Sequence, residues 1–339
     1  MKSSRIWFLL AAVILSVVTL GSLGVGAVPI GPGRILDILS GRIDSAVSPA
    51  EITIVWQLRL PRILLACFVG AGLGSAGAGY QGLFRNPLAD PFVIGASSGA
   101  ALGASAAIVL GWQGSVFGLA VVPAAALLGS LISVATVYGI ASTGTRMPVL
   151  SLLLTGVAVS SLLGALVSLL MFLHDEQLMT IFGWLMGSLS GRGWPALGSA
   201  VPLILVGGFV LWLQSRSLDA LSFGDDSASS LGLSLTRLRG LVVLSAGLAT
   251  AASVSTGGII GFIGLIAPHM ARSLVGARHA LVIPMSGLLG ALLLLIADDL
   301  ARVIVSPAEL PVGIVTALLG SPFFLFVLKS RKRALGAEA

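Results

Sequence analysis

Few residues in this sequence can do chemistry, and their spacing limits which chemistry is open to them. GxxxxGK[ST] occurs nowhere, so the chain carries no phosphate-cradling loop with which to hydrolyse ATP itself. HExxH is absent, as is any Cys/His cluster at metal-binding spacing. His174, His269 and His279 are far apart and lie near the ends of apolar runs, where they read as interfacial or loop residues rather than ligands. Cys67 is the only cysteine, so no intrachain disulfide can form. The acids Asp37, Asp44, Glu51, Asp90, Asp175, Glu176, Asp219, Asp225, Asp226, Asp298, Asp299, Glu309 and Glu338 all read as loop or span-end residues, with no carboxylate pair at fixed spacing inside a span. A membrane-embedded hydrolase is therefore disfavoured. So is a transporter driven by protons or sodium, which ordinarily needs an ionisable or unwound polar site near mid-membrane. Backbone carbonyls can bind sodium, so this ion-coupled alternative is lowered rather than removed. A purely structural membrane subunit is a further alternative.

The elements that would position these residues are apolar helices. Of 339 residues, 56% are apolar and only 9% are Asp, Glu, Lys or Arg, against about 25% charged in a typical soluble domain. So few charges could not cover a soluble surface of this size. The runs are continuously apolar, not alternating as in a membrane β-barrel. The chain is expected to be an all-α, polytopic membrane protein forming one domain over residues 1–339. A span needs roughly 20 apolar residues. Ten candidates lie near 6–28, 63–83, 92–111, 117–140, 150–173, 196–214, 240–258, 260–272, 281–298 and 311–328. The first follows Lys2 and Arg5 and resembles a signal peptide, but it is longer than a typical h-region and reads as a retained span. The eighth is short and is expected to be tilted, broken or sheltered by its neighbours.

Ten spans put both ends on one side. With the N-terminus inside, the cytoplasmic segments hold Lys2, Arg5, Arg85, Arg146, Arg216, Arg237, Arg239, Arg272, Arg278, Lys329, Arg331, Lys332 and Arg333. The outer segments hold Arg34, Arg42, Arg59, Arg62, Arg192 and Arg302. The bias places both termini in the cytoplasm of a multi-pass membrane protein. The net charge of +6 is thereby explained by orientation, and nucleic acid is not an expected partner. Arg59, Arg62 and Arg302 run against the bias. They either snorkel into headgroups or form a docking site for an acidic partner.

Two polar segments interrupt the pattern. The outer stretch 29–58 holds Pro29, Pro32 and Pro49 with Asp37, Asp44 and Glu51. The inner segment 215–239 is rich in Ser, Gly and Asp. In it, Ser222 or Asp225 could cap a short helix through Ala228 and Leu231, ended by Gly232. This segment is either a partner-binding element or a plain polar loop. In the second span Gly70, Gly74 and Ala78 recur every four residues, a stripe that lets helices approach closely. Ordinary helix packing is the favoured reading, with a pathway role not excluded. Asn86-Pro87 breaks the helix just after that span.

Four stretches carry a resemblance. They are LRLPR at 58–62, FRNPLADPFVIGASSG at 84–99, GGIIGFIGLIAPHMARSLVG at 257–276 and IADDLARVIVSPAELPVGIVTALLGSPFFL at 296–325. In order and spacing they resemble the permease subunits of type II ABC importers, which take up iron-siderophores, haem or vitamin B12. The similarity runs from about residue 5 to residue 332. It implies ten spans, a dimer with the pathway at its interface, and a cytoplasmic-membrane location. Two ATP-binding subunits would carry the ATP and magnesium, leaving this chain without a cofactor and making it no enzyme. A periplasmic or lipid-anchored substrate-binding protein would dock through acids matching Arg59, Arg62 and Arg302. The coupling segment would be 217–235, with Gly224, Asp225, Asp226, Ala228, Leu231 and Gly232 in the matching pattern; Ser229 and Ser230 depart from it. Asn86 and Leu88 match the cytoplasmic gate, and Val149 and Leu150 match its second part by position. The expected cargo is a metal chelate, first an iron-siderophore, then haem or cobalamin.

Overall fold

The apolar runs fold into helices, which pair most of their backbone groups within the segment, as a bilayer requires. The computed structural model of the protein describes residues 2–26, 28–42, 48–116, 119–142 and 148–336. Asp44, Arg146 and Glu338 lie outside the described residues.

The first helix, α1, spans Lys2–Ser22. Two short helices follow, α2 (Pro32–Ser40) and α3 (Pro49–Thr53). A Ser48–Glu51 capping box and Pro49 at the first helical position start α3. A π-turn over Ile54–Arg59 joins it without a break to α4 (Leu60–Phe84). The outer stretch 29–58, read as a polar segment outside the membrane, is thus partly helical. Its second half continues the second span, because the capping box begins the helix eleven residues upstream of Leu60.

Next come α5 (Ala96–Val109), a two-residue antiparallel ladder of β1 (Ser115–Val116) with β2 (Leu119–Ala120), α6 (Val121–Ala141) and α7 (Val149–Leu173). A short helix absent from the expected spans, α8 (Leu178–Leu185), precedes α9 (Trp194–Leu213). The inner polar segment holds two helices, α10 (Ser215–Leu221) and α11 (Asp225–Ser230), where one was expected. Asp225 and Asp226 therefore open a helix instead of lying in a loop. Gly224, at φ 110, occupies the cap position, with no side-chain cap. The last spans are α12 (Leu235–Gly257), α13 (Ile263–Val275), α14 (His279–Val303) and α15 (Val312–Gly336). Among the described residues, α1, α4, α6, α7, α9, α12 and α14 are long and apolar enough to cross a membrane, and α5, α13 and the first half of α15 are shorter apolar helices. Together they account for the ten expected spans.

Burial ranks these helices. Nearly every residue of α4 and of α12 from Leu238 onward is enclosed, and much of α14 with them, whereas α7 buries only Leu152, Gly156 and Val167. The expected glycine stripe explains why α4 can be central. A Cβ at Gly70 would overlap the Gly290 carbonyl of α14, and one at Gly74 the Ser286 carbonyl. Gly77 meets the backbone of Gly264 in α13, while Gly72 and Gly79 face Ser253 of α12 and Leu211 of α9. Glycines thus clear several faces of α4, each for a different neighbour. One apolar core lies around its inner half, with Tyr80, Leu83, Leu211, Leu221 and Leu238. Another lies around its outer half, with Leu23, Ile63, Leu65, Leu294 and Leu295.

A Gly74→Leu substitution should lower thermal stability in detergent by at least about 1–3 kcal/mol, the usual range for overpacking. Gly139→Leu, which meets open space, should leave it unchanged. Equal melting of both variants would contradict the close packing of α4 on α14.

Candidate functional site: a charged outer cluster and an inner coupling face

At the outer end of the bundle the three arginines that opposed the charge bias come together. Arg59 ends the π-turn, Arg62 sits in the first turn of α4, and Arg302 in the last turn of α14. Each is less than a tenth exposed. Arg62 grips Asp298 through Nε and Nη2, the latter at 2.9 Å, and Glu309 through Nη1 at 2.8 Å. Arg302 lies 3.4 Å from Asp298 and pairs with Asp299, which also accepts from the Ser22 hydroxyl. Arg59 donates to the Leu23 carbonyl at 2.6 Å and to the Val28 carbonyl, and Arg302 donates to the Val25 carbonyl at 3.0 Å. Cations against the carbonyl end of α1 are favourably placed.

Arg62 and Arg302 thus meet three acids and Arg59 meets backbone carbonyls, which gives a physical reason for positive charge at this end. It also corrects the reading that every acid lies in a loop or at a span end. Asp298 is fully buried five residues before α14 ends. It is paired with Arg62 and Arg302 at the outer end, away from mid-membrane. Truncating one partner of such a buried network ordinarily costs about 3–5 kcal/mol. The spacing of Asp298 and Asp299 to Arg302, four and three residues, was a readable signal of an ion pair on one helix face. The pairing of Asp298 with Arg62 across 236 residues was not.

A cleft of about 260 Å3 opens beside the cluster, lined by Gly26, Ile54, Arg59, Arg62, Arg302 and Glu309 among others. Glu309, in the loop between α14 and α15, is the most exposed of the three acids. Burial raises its pKa, but the hydrogen bond and charge of Arg62, with Ser190 and Arg302, outweigh this and hold it below the usual carboxylate range. Among the described residues no group of His, Cys, Asp and Glu is arranged to hold a metal ion.

The inner end carries the remaining expected residues. Arg85 ends α4 in the left-handed region at φ 49, and the turn behind it is held by short bonds. Asn86 Oδ1 accepts from the Leu88 amide at 3.0 Å, and the Asn86 amide donates to the Gln81 carbonyl at 3.1 Å. Gln81, a lone polar residue in the apolar run, is buried and donates to the Ala89 carbonyl at 3.4 Å, while its own carbonyl oxygen accepts from Arg272. Sequence reasoning passed over it, although an uncharged polar side chain inside a span was the available signal. Burial pushes the nearby Asp90 carboxyl up to about 6, against the Phe92 amide it accepts from.

Leu88 is partly exposed, Val149 packs against the inner core, and Leu150 points outward. The short 3-10 turn Pro91–Ile94 follows the expected gate residues Asn86 and Leu88, with its Val93 carbonyl against Gly156 of α7, the helix that carries Val149 and Leu150.

In the coupling segment the expected residues divide. Ala228 is fully buried in the inner core, and Asp225 turns inward onto Arg85 and Arg239. Asp226 is exposed, and Leu231 is 71% exposed before Gly232 ends the segment at φ 79. Phe223, which sequence reasoning did not single out, is 80% exposed between α10 and α11. An aromatic residue stranded in a Ser/Gly/Asp segment was the available signal.

Comparison with known proteins agrees with this architecture. A profile of the FecCD transport family matches residues 14–330. The cobalamin import system permease protein BtuC of Halobacterium salinarum is 46% identical over 83% of this chain and 75% of its own length. The Fe(3+)-citrate import system permease protein YfmE of Bacillus subtilis is 39% identical over 98% of this chain and 97% of its own. A solved structure of a metal-chelate type ABC transporter, in an inward-facing conformation, superposes with a TM-score of 0.83 at 35% identity, over 96% of this chain and 99% of that one. The chain belongs to the FecCD transport family, the multi-pass inner-membrane permeases of ABC importers for metal chelates, and is a transport subunit without catalysis of its own.

Proposed function

We propose that this chain carries a ferric chelate, handed to it by a binding protein outside and driven by two ATP-binding subunits inside. The ATP and magnesium would sit on those subunits. Two copies of the chain would pair around the pathway. The observation that carries the cargo reading is the likeness to a Fe(3+)-citrate permease along nearly the whole of both chains. Cobalamin is the second reading, favoured by the higher identity over a shorter stretch.

On the outer face, the binding protein would present carboxylates to the cleft of Arg59, Arg62 and Arg302. Support comes from the convergence of the three arginines on one opening. Glu309 already occupies one face of Arg62, so docking is read as an exchange of acids in which an incoming carboxylate replaces Glu309. Charge pairs of this kind orient the encounter more than they add raw affinity.

On the inner face, α10 and α11 would sit in the ATP-binding subunit. Support comes from Phe223 and Leu231, two large apolar side chains exposed on an otherwise polar segment. Around the pathway, an apolar groove of about 510 Å3 lined by Leu185, Met186, Ile259, Gly313 and Leu318 offers a surface that a large chelate could pass without being held. ATP binding would then favour one of two arrangements of the spans, through its different affinity for each.

Glu309→Gln should tighten binding-protein association about tenfold at low salt, ~1.4 kcal/mol, with the gain shrinking as salt rises. Unchanged affinity at every salt concentration would remove the cleft from the docking site. For the cargo, the reconstituted importer should accumulate radiolabelled ferric chelate in the presence of excess cobalamin. Complete block by cobalamin, with labelled cobalamin taken up instead, would favour the second reading.

A further inference from the structure

The two adjacent acids of α11 do opposite things. Asp226 is exposed, whereas Asp225 turns back into the molecule. One Asp225 oxygen lies 2.5 Å from Arg239 Nη2, on a guanidinium buried in the first turns of α12. The other lies 3.4 Å from Arg85 Nη2. Arg85 is the last link before the Asn86–Leu88 turn. It holds a left-handed backbone, a conformation that is costly for a non-glycine residue and persists where the surroundings impose it.

The two bonds differ in kind. The Arg239 side chain is 7% exposed and the contact is close, so that bond is not readily broken. The Arg85 side chain is 44% exposed, its contact is longer, and such pairs are worth little individually. A cavity of about 360 Å3 beside Arg85, lined by Gln81, Pro87, Ser222, Arg272 and His279, leaves that side chain room to move. Ala228, buried one turn further along the same face of α11, keeps the helix seated on the bundle while its first turn shifts.

We propose that Asp225 is a transmission residue and not an ATPase contact: its fixed bond to Arg239 is the pivot, and its breakable bond to Arg85 passes the movement of α11 to the Asn86–Leu88 gate turn. This rests on the reading of α10 and α11 as the coupling helices and of Asn86–Leu88 as the gate turn that the family resemblance implies. It assigns Asp225 and Arg85 a positioning role for the known transport, and leaves Phe223, Asp226 and Leu231 to face the partner.

The test uses the complete importer in proteoliposomes, with three readouts: association of the ATP-binding subunit, ATP hydrolysis, and chelate moved per ATP. Arg85→Gln and Asp225→Asn should each keep association and hydrolysis while chelate moved per ATP falls roughly five- to tenfold, the scale of ordinary site-to-site coupling. The double variant should be no worse than either single one, and Arg85→Lys should restore most of the ratio. An unchanged ratio in Arg85→Gln would overturn the proposal, even if Asp225→Asn misfolded. So would loss of the ATP-binding subunit from Asp225→Asn in a folded permease. Phe223→Asp combined with Leu231→Asp should instead abolish association. Full association of that variant would overturn the coupling-helix reading itself, which separates the two failures.

Discussion

The arrangement depends on how closely α4 approaches its neighbours. Inside a bilayer, lipid tails are as apolar as leucine, so helices gain little by burying apolar side chains against each other. What holds them is contact, and contact is greatest where backbones meet. Gly70 and Gly74 bring α4 onto the backbone of α14, and Gly77 brings it onto α13. The same helix carries Arg62 in its first turn, in the outer charge cluster, and is capped by Arg85 beside the inner turn. A tightly packed rod therefore joins the face proposed to meet a binding protein to the face proposed to meet the ATP-binding subunits. Polar groups concentrate at its two ends, and its middle is glycine and apolar contact.

The outer cluster shows how such a rod can carry charge. Isolated charges near a bilayer are costly. Here three arginines are matched by Asp298, Asp299 and Glu309 and by the free carbonyls after α1. The two aspartates lie on α14 itself; Asp298 ties its outer end to α4 through Arg62, and Asp299 ties it to α1 through Ser22. Glu309 lies on a loop and is the member that can leave. Structural and exchangeable charges thus share one site, with Arg62 touching both kinds. At the inner end Asp225 has the same double character, with one firm bond to Arg239 and one weaker bond to Arg85.

Much of this was legible in the sequence. Continuous apolar runs marked where the apolar helices lie, and the basic bias is the ground for the expected orientation. The stripe at Gly70, Gly74 and Ala78 announced a close helix contact, though not that α14 would fill it. Arg59, Arg62 and Arg302 stood out because they opposed the bias. Their partners did not, because Asp298 and Glu309 reach Arg62 only through the tertiary fold, and an acid at the end of a run looks solvated. The helix over Asp225–Ser230 was readable from a cap expected at Ser222 or Asp225 and the stop at Gly232, although Gly224 takes the cap position; which of its two acids faces inward depends on where Arg85 and Arg239 come to rest. The segments α8 and α10 were missed because each is too short to show a period. The helical start at Pro49 was missed because Pro and charge outweighed a Ser48–Glu51 capping signal.

The central claim is that the chain is a conduit without a motor. The direct measurement is chelate accumulation against a gradient in vesicles that hold the purified permease and receive the loaded binding protein, with and without the ATP-binding subunits. The account predicts accumulation only when those subunits, ATP and magnesium are all present, and none when an ion gradient alone is imposed. Uphill accumulation by the permease alone, sustained by a proton or sodium gradient, would contradict it.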